Sequence, residues 1–107
     1  MNDMQAARVR LEAQLAELED RLQRIERDLA EPLDADSSER AVQMEDDASL
    51  EGQAAVLSRD VASVRRALGR VEDGTYGTCV QCGDTISDNR LEARPEAALC
   101  IDCASKA

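Results

Sequence analysis

Four cysteines near the C-terminal end of the chain have the spacing of a metal site. They follow the pattern C-x2-C-x17-C-x2-C and are Cys79, Cys82, Cys100 and Cys103. Each C-x-x-C pair can direct two thiolates at one point, and the 17-residue segment between the pairs can fold the second pair back onto the first. The pattern predicts one tetrahedral Zn²⁺ held by four sulfur atoms.

Four thiolate ligands also restrict the chemistry of such a site. They fill the coordination sphere, so that no position remains for an activated water. The chain contains no histidine that could act as a ligand or a base. We therefore predict a structural zinc and a protein that is not an enzyme. A disulfide pair or a redox-active C-x-x-C motif is the alternative that the spacing leaves open.

The composition favours long exposed helices over an aromatic-rich globule. Among 107 residues there is a single aromatic one, Tyr76, and 34% of the residues are charged. The chain contains no apolar run near the ~18 residues of a membrane span, and its N-terminus lacks the hydrophobic region of a signal peptide. We expect a cytoplasmic protein without membrane association, whose cysteines bind metal in a reducing compartment.

The net charge is −10 and is unevenly distributed. Residues 28–51 contain nine acidic residues and one basic residue, a net charge of −8. Because such a chain repels phosphate backbones, we expect no direct DNA binding.

Apolar residues follow two heptad series in the first two thirds of the chain. The first series, with alternating spacings of four and three, is Leu11, Leu15, Leu18, Leu22, Ile25 and Leu29, and Met4 extends it by one heptad. The second series is Leu50, Ala54, Leu57, Val61, Val64, Leu68 and Val71. These spacings predict two helices, each with an a/d seam that needs a partner.

The two seams match in reverse order. Pairs whose residue numbers add up to 72, such as Leu11 with Val61 and Leu22 with Leu50, place one seam opposite the other and put the fold point at residue 36. This register predicts an antiparallel hairpin within one chain, whose seam becomes polar and weaker near the fold point. A coiled coil between two chains is the alternative.

The helix boundaries follow from proline and glycine. Pro32 should end the first helix, the second should begin near residues 37–40, and Gly74 should cap its C-terminus. The predicted fold class is mainly α: an antiparallel two-helix coiled-coil hairpin with a C-terminal four-cysteine zinc-finger head. The hairpin should comprise residues 1–73, with an acidic tip near residues 32–40, and the zinc-finger head residues 74–107. We expect a monomer.

Two compatible roles fit the carboxylates of the acidic tip. Asp36 and Glu39 have the spacing of a capping box at a helix start, where acidic residues also favour the helix dipole. Capping uses only one or two carboxylates and does not account for the others nearby. A projecting cluster of carboxylates instead indicates insertion into an electropositive or metal-containing cavity.

Three runs of residues resemble the DksA/TraR family of bacterial transcription factors. They are Y-G-T-C-V-Q-C-G at 76–83, R-L-E-A-R-P at 90–95 and L-C-I-D-C at 99–103. The resemblance extends from about Glu31 to the C-terminus. It implies direct binding to RNA polymerase, with the coiled-coil hairpin entering the secondary channel and shifting the stability of the open complex.

The resemblance also implies site residues. The tip motif D-x-x-D-x-A of the family is matched by Asp36, Glu39 and Ala41, with Glu39 at a position where the family usually has Asp. Arg90 and Arg94 are the implied contacts with the alarmone ppGpp or the polymerase. Ser63 and Ala104 stand at two further positions where long family members have basic residues.

Two other functions are compatible with the sequence. One is a transcript-cleavage factor like the Gre proteins, in which the acids of the tip help to hold a catalytic Mg²⁺. The other is a zinc-stapled coiled-coil adaptor that joins proteins.

Overall fold

The computed structural model describes residues 3–32 and 36–106. Within these ranges there are four α-helices: α1 (Met4–Leu29), α2 (Ser37–Asp73), α3 (Asp88–Ala93) and α4 (Ile101–Lys106). An isolated antiparallel bridge joins Thr78 to Thr85. The predicted fold class is confirmed. None of the helices in the described part of the chain is long and apolar enough to cross a bilayer.

Helix α1 ends earlier than the proline rule predicts. Its last residue is Leu29, and the chain continues in a turn in which the N–H of Ala30 donates to the carbonyl of Glu26 at 3.0 Å. Helix α2 begins at Ser37, within the predicted range. The middle of the acidic tip, residues 33–35 with Asp34, lies outside the described residues.

The C-terminus of α2 is closed by the predicted glycine. Gly74 has φ = 78°, and its N–H donates to the carbonyl of Val71 at 3.3 Å. The N–H of Thr75 donates to the carbonyl of Arg70 at 2.9 Å. These two bonds form a Schellman motif, which satisfies carbonyls that the helix itself leaves without donors.

The conformation of Gly74 predicts the effect of replacing it. A Cβ on this residue would meet no atom within 4 Å, so that the only cost of Gly74→Ala is the left-handed backbone, about 1 kcal/mol. The matched control is Gly69→Ala, because Gly69 lies inside α2 and a Cβ there would also meet no atom within 4 Å. This variant should be more stable than the wild type by about 0.5–1 kcal/mol, since alanine has a higher helix propensity than glycine. Chemical unfolding of both variants measures the difference. Equal effects in the two variants would contradict the role of Gly74.

The chain divides into two compact units, which we call the base unit and the acidic unit. The base unit comprises Met1–Ala16 with Ala62–Ala107, and the acidic unit comprises Glu17–Val61. The acidic unit carries fourteen acidic and five basic residues, so that −9 of the net charge of −10 belongs to it. The division of the chain at residues 73 and 74 stays a prediction.

The base unit contains the most deeply buried side chains. They come from α1, α2 and the C-terminal segment and are Leu11, Val64, Cys79, Ile86 and Leu91. Ala7 and Ala67 are also completely buried, although neither belongs to the predicted seams. A methyl group is small enough to be buried beside a seam where two helices pack closely.

In the acidic unit, α1 and α2 run side by side with a seam that becomes more exposed towards the turn. Leu18, Leu57 and Val61 are buried. The seam residues nearer the turn are half-buried, namely Leu22, Ile25, Leu29 and Leu50. Arg21 of α1 lines a groove with residues between 49 and 60 of α2. Further along the chain, Nε2 of Gln43 donates to the carbonyl of Pro32 at 2.8 Å, so that the two helices run antiparallel. The seam is therefore less buried near the turn, and its predicted weakening there stays a prediction.

Candidate metal centre and acidic tip

The first pair of cysteines lies in a tight knuckle next to the Thr78–Thr85 bridge. The N–H of Cys79 donates to the carbonyl of Asp84 at 2.8 Å, and the N–H of Gly83 donates back to the carbonyl of Cys79 at 3.0 Å. Gly83 has φ = 81°, a conformation in which a side chain is strained. The local sequence thus turns the chain sharply enough to direct Cys79 and Cys82 to one side.

The second pair is positioned by α4 and by the segment that precedes it. Cys100 lies immediately before α4 and Cys103 in its first turn, and the N–H of Ala104 donates to the carbonyl of Cys100 at 2.9 Å. A backbone bond from the N–H of Val80 to the carbonyl of Ala98, at 2.9 Å, joins this segment to the first knuckle.

The four sulfur atoms have the separations of a tetrahedral zinc site. All four Sγ atoms lie within 4.8 Å of one another, and those of Cys82 and Cys100 are 3.7 Å apart. A regular tetrahedron with Zn–S bonds of about 2.3 Å has sulfur atoms about 3.8 Å apart. A disulfide needs about 2.05 Å, and all four cysteines are free thiols. The cluster therefore fits one structural zinc ion.

The electrostatics of the cluster favour a cation. The pKa of Cys79 is lowered to about 6 because backbone N–H groups of Cys82 and Cys100 donate to its sulfur. In contrast, the pKa of Cys103 is raised to about 12 because its thiol shares a hydrogen bond with Cys100 and is removed from water. Neighbouring thiolates repel each other, and a divalent cation removes that repulsion.

The two arginines predicted as contacts have different surroundings. Arg90 is half-buried and its Nε donates to the carbonyl of Leu99 at 2.8 Å. The side chain of Arg94 is 66% exposed and its Nε lies 3.5 Å from Oε1 of Glu96. Arg94 can therefore reach a partner molecule, whereas one donor of Arg90 already fixes the backbone before Cys100. Their role as contacts stays a prediction.

Sequence reasoning missed two residues that hold the head in place. Nη2 of Arg70 donates to the carbonyls of Glu96 and Ala97 at 3.3 and 3.5 Å. The hydroxyl of Tyr76 donates to the carbonyl of Pro95 at 2.8 Å. Burial raises the pKa of Tyr76, so that the phenol keeps the proton that it donates. The only signal in the sequence was that Tyr76 is the single aromatic residue.

Asp36 has a structural role at the start of α2. Its Oδ1 accepts a hydrogen bond from the N–H of Glu39 at 3.3 Å, and its carbonyl accepts one from the N–H of Arg40 at 2.8 Å. Asp36 is thus the N-cap of α2, as the capping interpretation predicts. Asp36, Glu39 and Ala41 are all exposed. A function of these three residues in binding stays a prediction.

Two family models match the chain and together cover most of it. Residues 74–107 match the "Prokaryotic dksA/traR C4-type zinc finger". Residues 8–71 match the "DnaK suppressor protein-like, N-terminal domain". The chain belongs to the DksA/TraR family. The predicted resemblance is confirmed, and with it the assignment of the four cysteines to a C4 zinc finger.

Solved structures of DksA proteins have the same fold. The transcription factor DksA2 from Pseudomonas aeruginosa matches with a TM-score of 0.85 and 28% identity, over 96% of this chain and 81% of that protein. The DnaK suppressor protein from Agrobacterium tumefaciens C58 matches with a TM-score of 0.69 and 34% identity, over 98% and 94% of the two chains.

Curated relatives are called RNA polymerase-binding transcription factor DksA. The protein from Escherichia coli K12 is 49% identical over 43 residues, which is 40% of this chain and 28% of that protein. The protein from Caulobacter vibrioides NA1000 is 42% identical over 69 residues, 64% of this chain and 48% of that protein. The chain therefore matches less than half of the length of these relatives.

Proposed function

We propose that this protein binds bacterial RNA polymerase and regulates the initiation of transcription without catalysing a reaction. The observation that carries the proposal is membership of the DksA/TraR family across both the helical region and the zinc finger, together with relatives named for RNA polymerase binding. The proposal includes a monomeric protein of the cytoplasm that does not bind DNA directly.

The distribution of charge supports a role for the acidic unit. Nearly all of the net negative charge belongs to this unit, and the carboxylates of Asp36 and Glu39 are exposed. Like charges that lie close together still repel one another at an exposed surface, although water and salt weaken the repulsion, and their concentration next to a helix start is more than capping requires. We assign this role to insertion of the acidic tip into the secondary channel, near the catalytic centre of the polymerase.

The mechanism that we propose is a shift between states of the polymerase. If the protein binds one state of the promoter complex more tightly than another, it shifts the equilibrium by its difference in affinity. A preference of about 1.4 kcal/mol changes the population ratio tenfold. In this mechanism output is lowered or raised according to the lifetime of the open complex at each promoter, and it requires no contact between this protein and DNA bases.

A contact with ppGpp is a finer part of the same proposal. Arg94 is the candidate that the structure leaves most accessible. Ser63 and Ala104 supply no positive charge where long family members have basic residues. We therefore expect ppGpp to increase the effect only modestly, by less than about tenfold, since fewer charge-assisted bonds are formed.

Transcription by purified polymerase tests the proposal. Adding the protein should shorten the lifetime of open complexes at an rRNA-type promoter and reduce its output, and ppGpp should add a smaller effect that Arg94→Ala removes. Arg65→Ala is the control, because it removes the same charge from an exposed position of α2. Unchanged open-complex lifetimes at saturating protein would contradict the proposal.

The same preparation separates the two alternatives. Release of short RNA from a stalled elongation complex would indicate a Gre-like cleavage factor. A stable dimer of the 11.7 kDa chain that does not associate with polymerase would indicate an adaptor.

A further inference from the structure

Residues 95–99, which we call the strap, run directly before Cys100 and have an unusual hydrogen-bonding pattern. All five carbonyls of the strap accept a hydrogen bond, and none of the donors belongs to the strap itself. The donors are Tyr76 to Pro95, Arg70 to Glu96 and Ala97, the N–H of Val80 to Ala98, and Arg90 to Leu99. The strap therefore links the zinc site to α2 and to α3.

Arg70 connects the strap to the end of α2 in two ways. Its side chain donates to two strap carbonyls, and its own carbonyl accepts from the N–H groups of Thr75 and Tyr76 at 2.9 and 3.1 Å. Burial and the neighbouring charge of Arg66 lower the pKa of Arg70. A guanidinium partly removed from water needs acceptors, and the strap provides them.

The strap also reaches α1. Nε2 of Gln14 donates to Oε2 of Glu96 at 3.4 Å, and the side chain of Glu96 is only 18% exposed. One short segment thus contacts both helices of the base unit through Glu96, while its two ends are fixed by Tyr76 and by Cys100.

We propose that the strap couples zinc binding to the pairing of α1 and α2 in the base unit, and that Arg70 is the main positioning residue in this coupling. Ligation at Cys100 fixes the backbone that carries the five carbonyls. Without that constraint the strap is a segment without secondary structure, and Arg70, Tyr76 and Gln14 lose their partners together. This coupling concerns folding and does not rest on polymerase binding.

Hydrogen–deuterium exchange of the full chain, with zinc bound and after chelation under reducing conditions, tests the coupling. In the wild type, zinc removal should raise exchange roughly tenfold or more for the amides of residues 5–16 and 62–73. Arg70→Met keeps most of the aliphatic stem and removes the donor. Its zinc-bound form should still contain one zinc per chain, but the effect of zinc on exchange in the two helices should fall to less than about a third of the wild-type effect.

The control is Arg66→Met, which removes the same charge one turn earlier from an exposed position and should keep the full zinc effect. An undiminished zinc effect in Arg70→Met would overturn the proposal, as would a wild type whose helices exchange equally with and without zinc. If Arg70→Met does not bind zinc, the effect of zinc on helix exchange is measured in Tyr76→Phe instead. This variant removes the hydrogen bond to Pro95 and leaves the buried ring in place, and an undiminished zinc effect in it would likewise overturn the proposal.

Discussion

Replacing Cys82 with serine is expected to abolish zinc binding and to unfold residues 74–107. Structural zinc sites contribute about 10–16 kcal/mol of apparent binding energy that is coupled to folding. Local helix stability cannot replace this energy, because α3 and α4 have six residues each and isolated helices below ~12–15 residues are marginal. Metal analysis should give less than about 0.1 zinc per chain instead of one.

The matched control for Cys82→Ser is Gln81→Ala. Gln81 lies in the same knuckle and is exposed, so that its side chain can be removed without loss of a ligand. This variant should bind one zinc and melt like the wild type. If Cys82→Ser retained full zinc and an unchanged thermal transition, the metal could not be structural.

Replacing Asp36 with asparagine should abolish regulation and leave the fold intact. Asparagine is as good an N-cap as aspartate, so the bond to the N–H of Glu39 is retained and the helix content should not change. Only the charge is lost. If this carboxylate makes a charge-assisted contact in the polymerase, its loss removes about 1.5–3 kcal/mol of state preference, equivalent to at least a tenfold weaker effect on open-complex lifetime.

Three further measurements make the Asp36 result specific. Polymerase affinity should stay within about threefold of the wild type, because we expect the base unit, which the substitution leaves unchanged, to make most of the contacts that hold the protein on polymerase, and a tenfold change in affinity requires about 1.4 kcal/mol. Asp36→Ala should additionally lose about 1 kcal/mol of stability with the cap. Glu45→Gln, with the same loss of charge at an exposed position further along α2, should regulate normally. Full regulation by Asp36→Asn would remove the acidic tip from the mechanism.

Much of this architecture is predictable because its determinants are periodic or local. Four cysteines at fixed spacing predict a common metal, since two tight knuckles and a long enough connection are the only geometric requirements. The heptad seams predict the helix pair, and their matching lengths predict its antiparallel direction. Gly74 predicts the end of α2, because the Schellman motif depends on a few neighbouring residues.

Two details of the helices differ from what the local sequence rules predict. Pro32 excludes helix beyond itself, but α1 already ends three residues before it, at Leu29. Ala7 and Ala67 carry no seam signal and are nevertheless fully buried. Their burial depends on how closely neighbouring elements pack, which no spacing of residues encodes.

The sequence by itself determined the metal site, the two long helices and the acidic segment, since each depends on residue types at short or regular separations. Only the tertiary structure decided what Arg70, Tyr76 and Arg90 do, because their acceptors are backbone carbonyls 9 to 27 residues away. Carbonyls are present in every residue and leave no mark in a sequence. Which of them meets a given donor depends on where the whole chain places both groups.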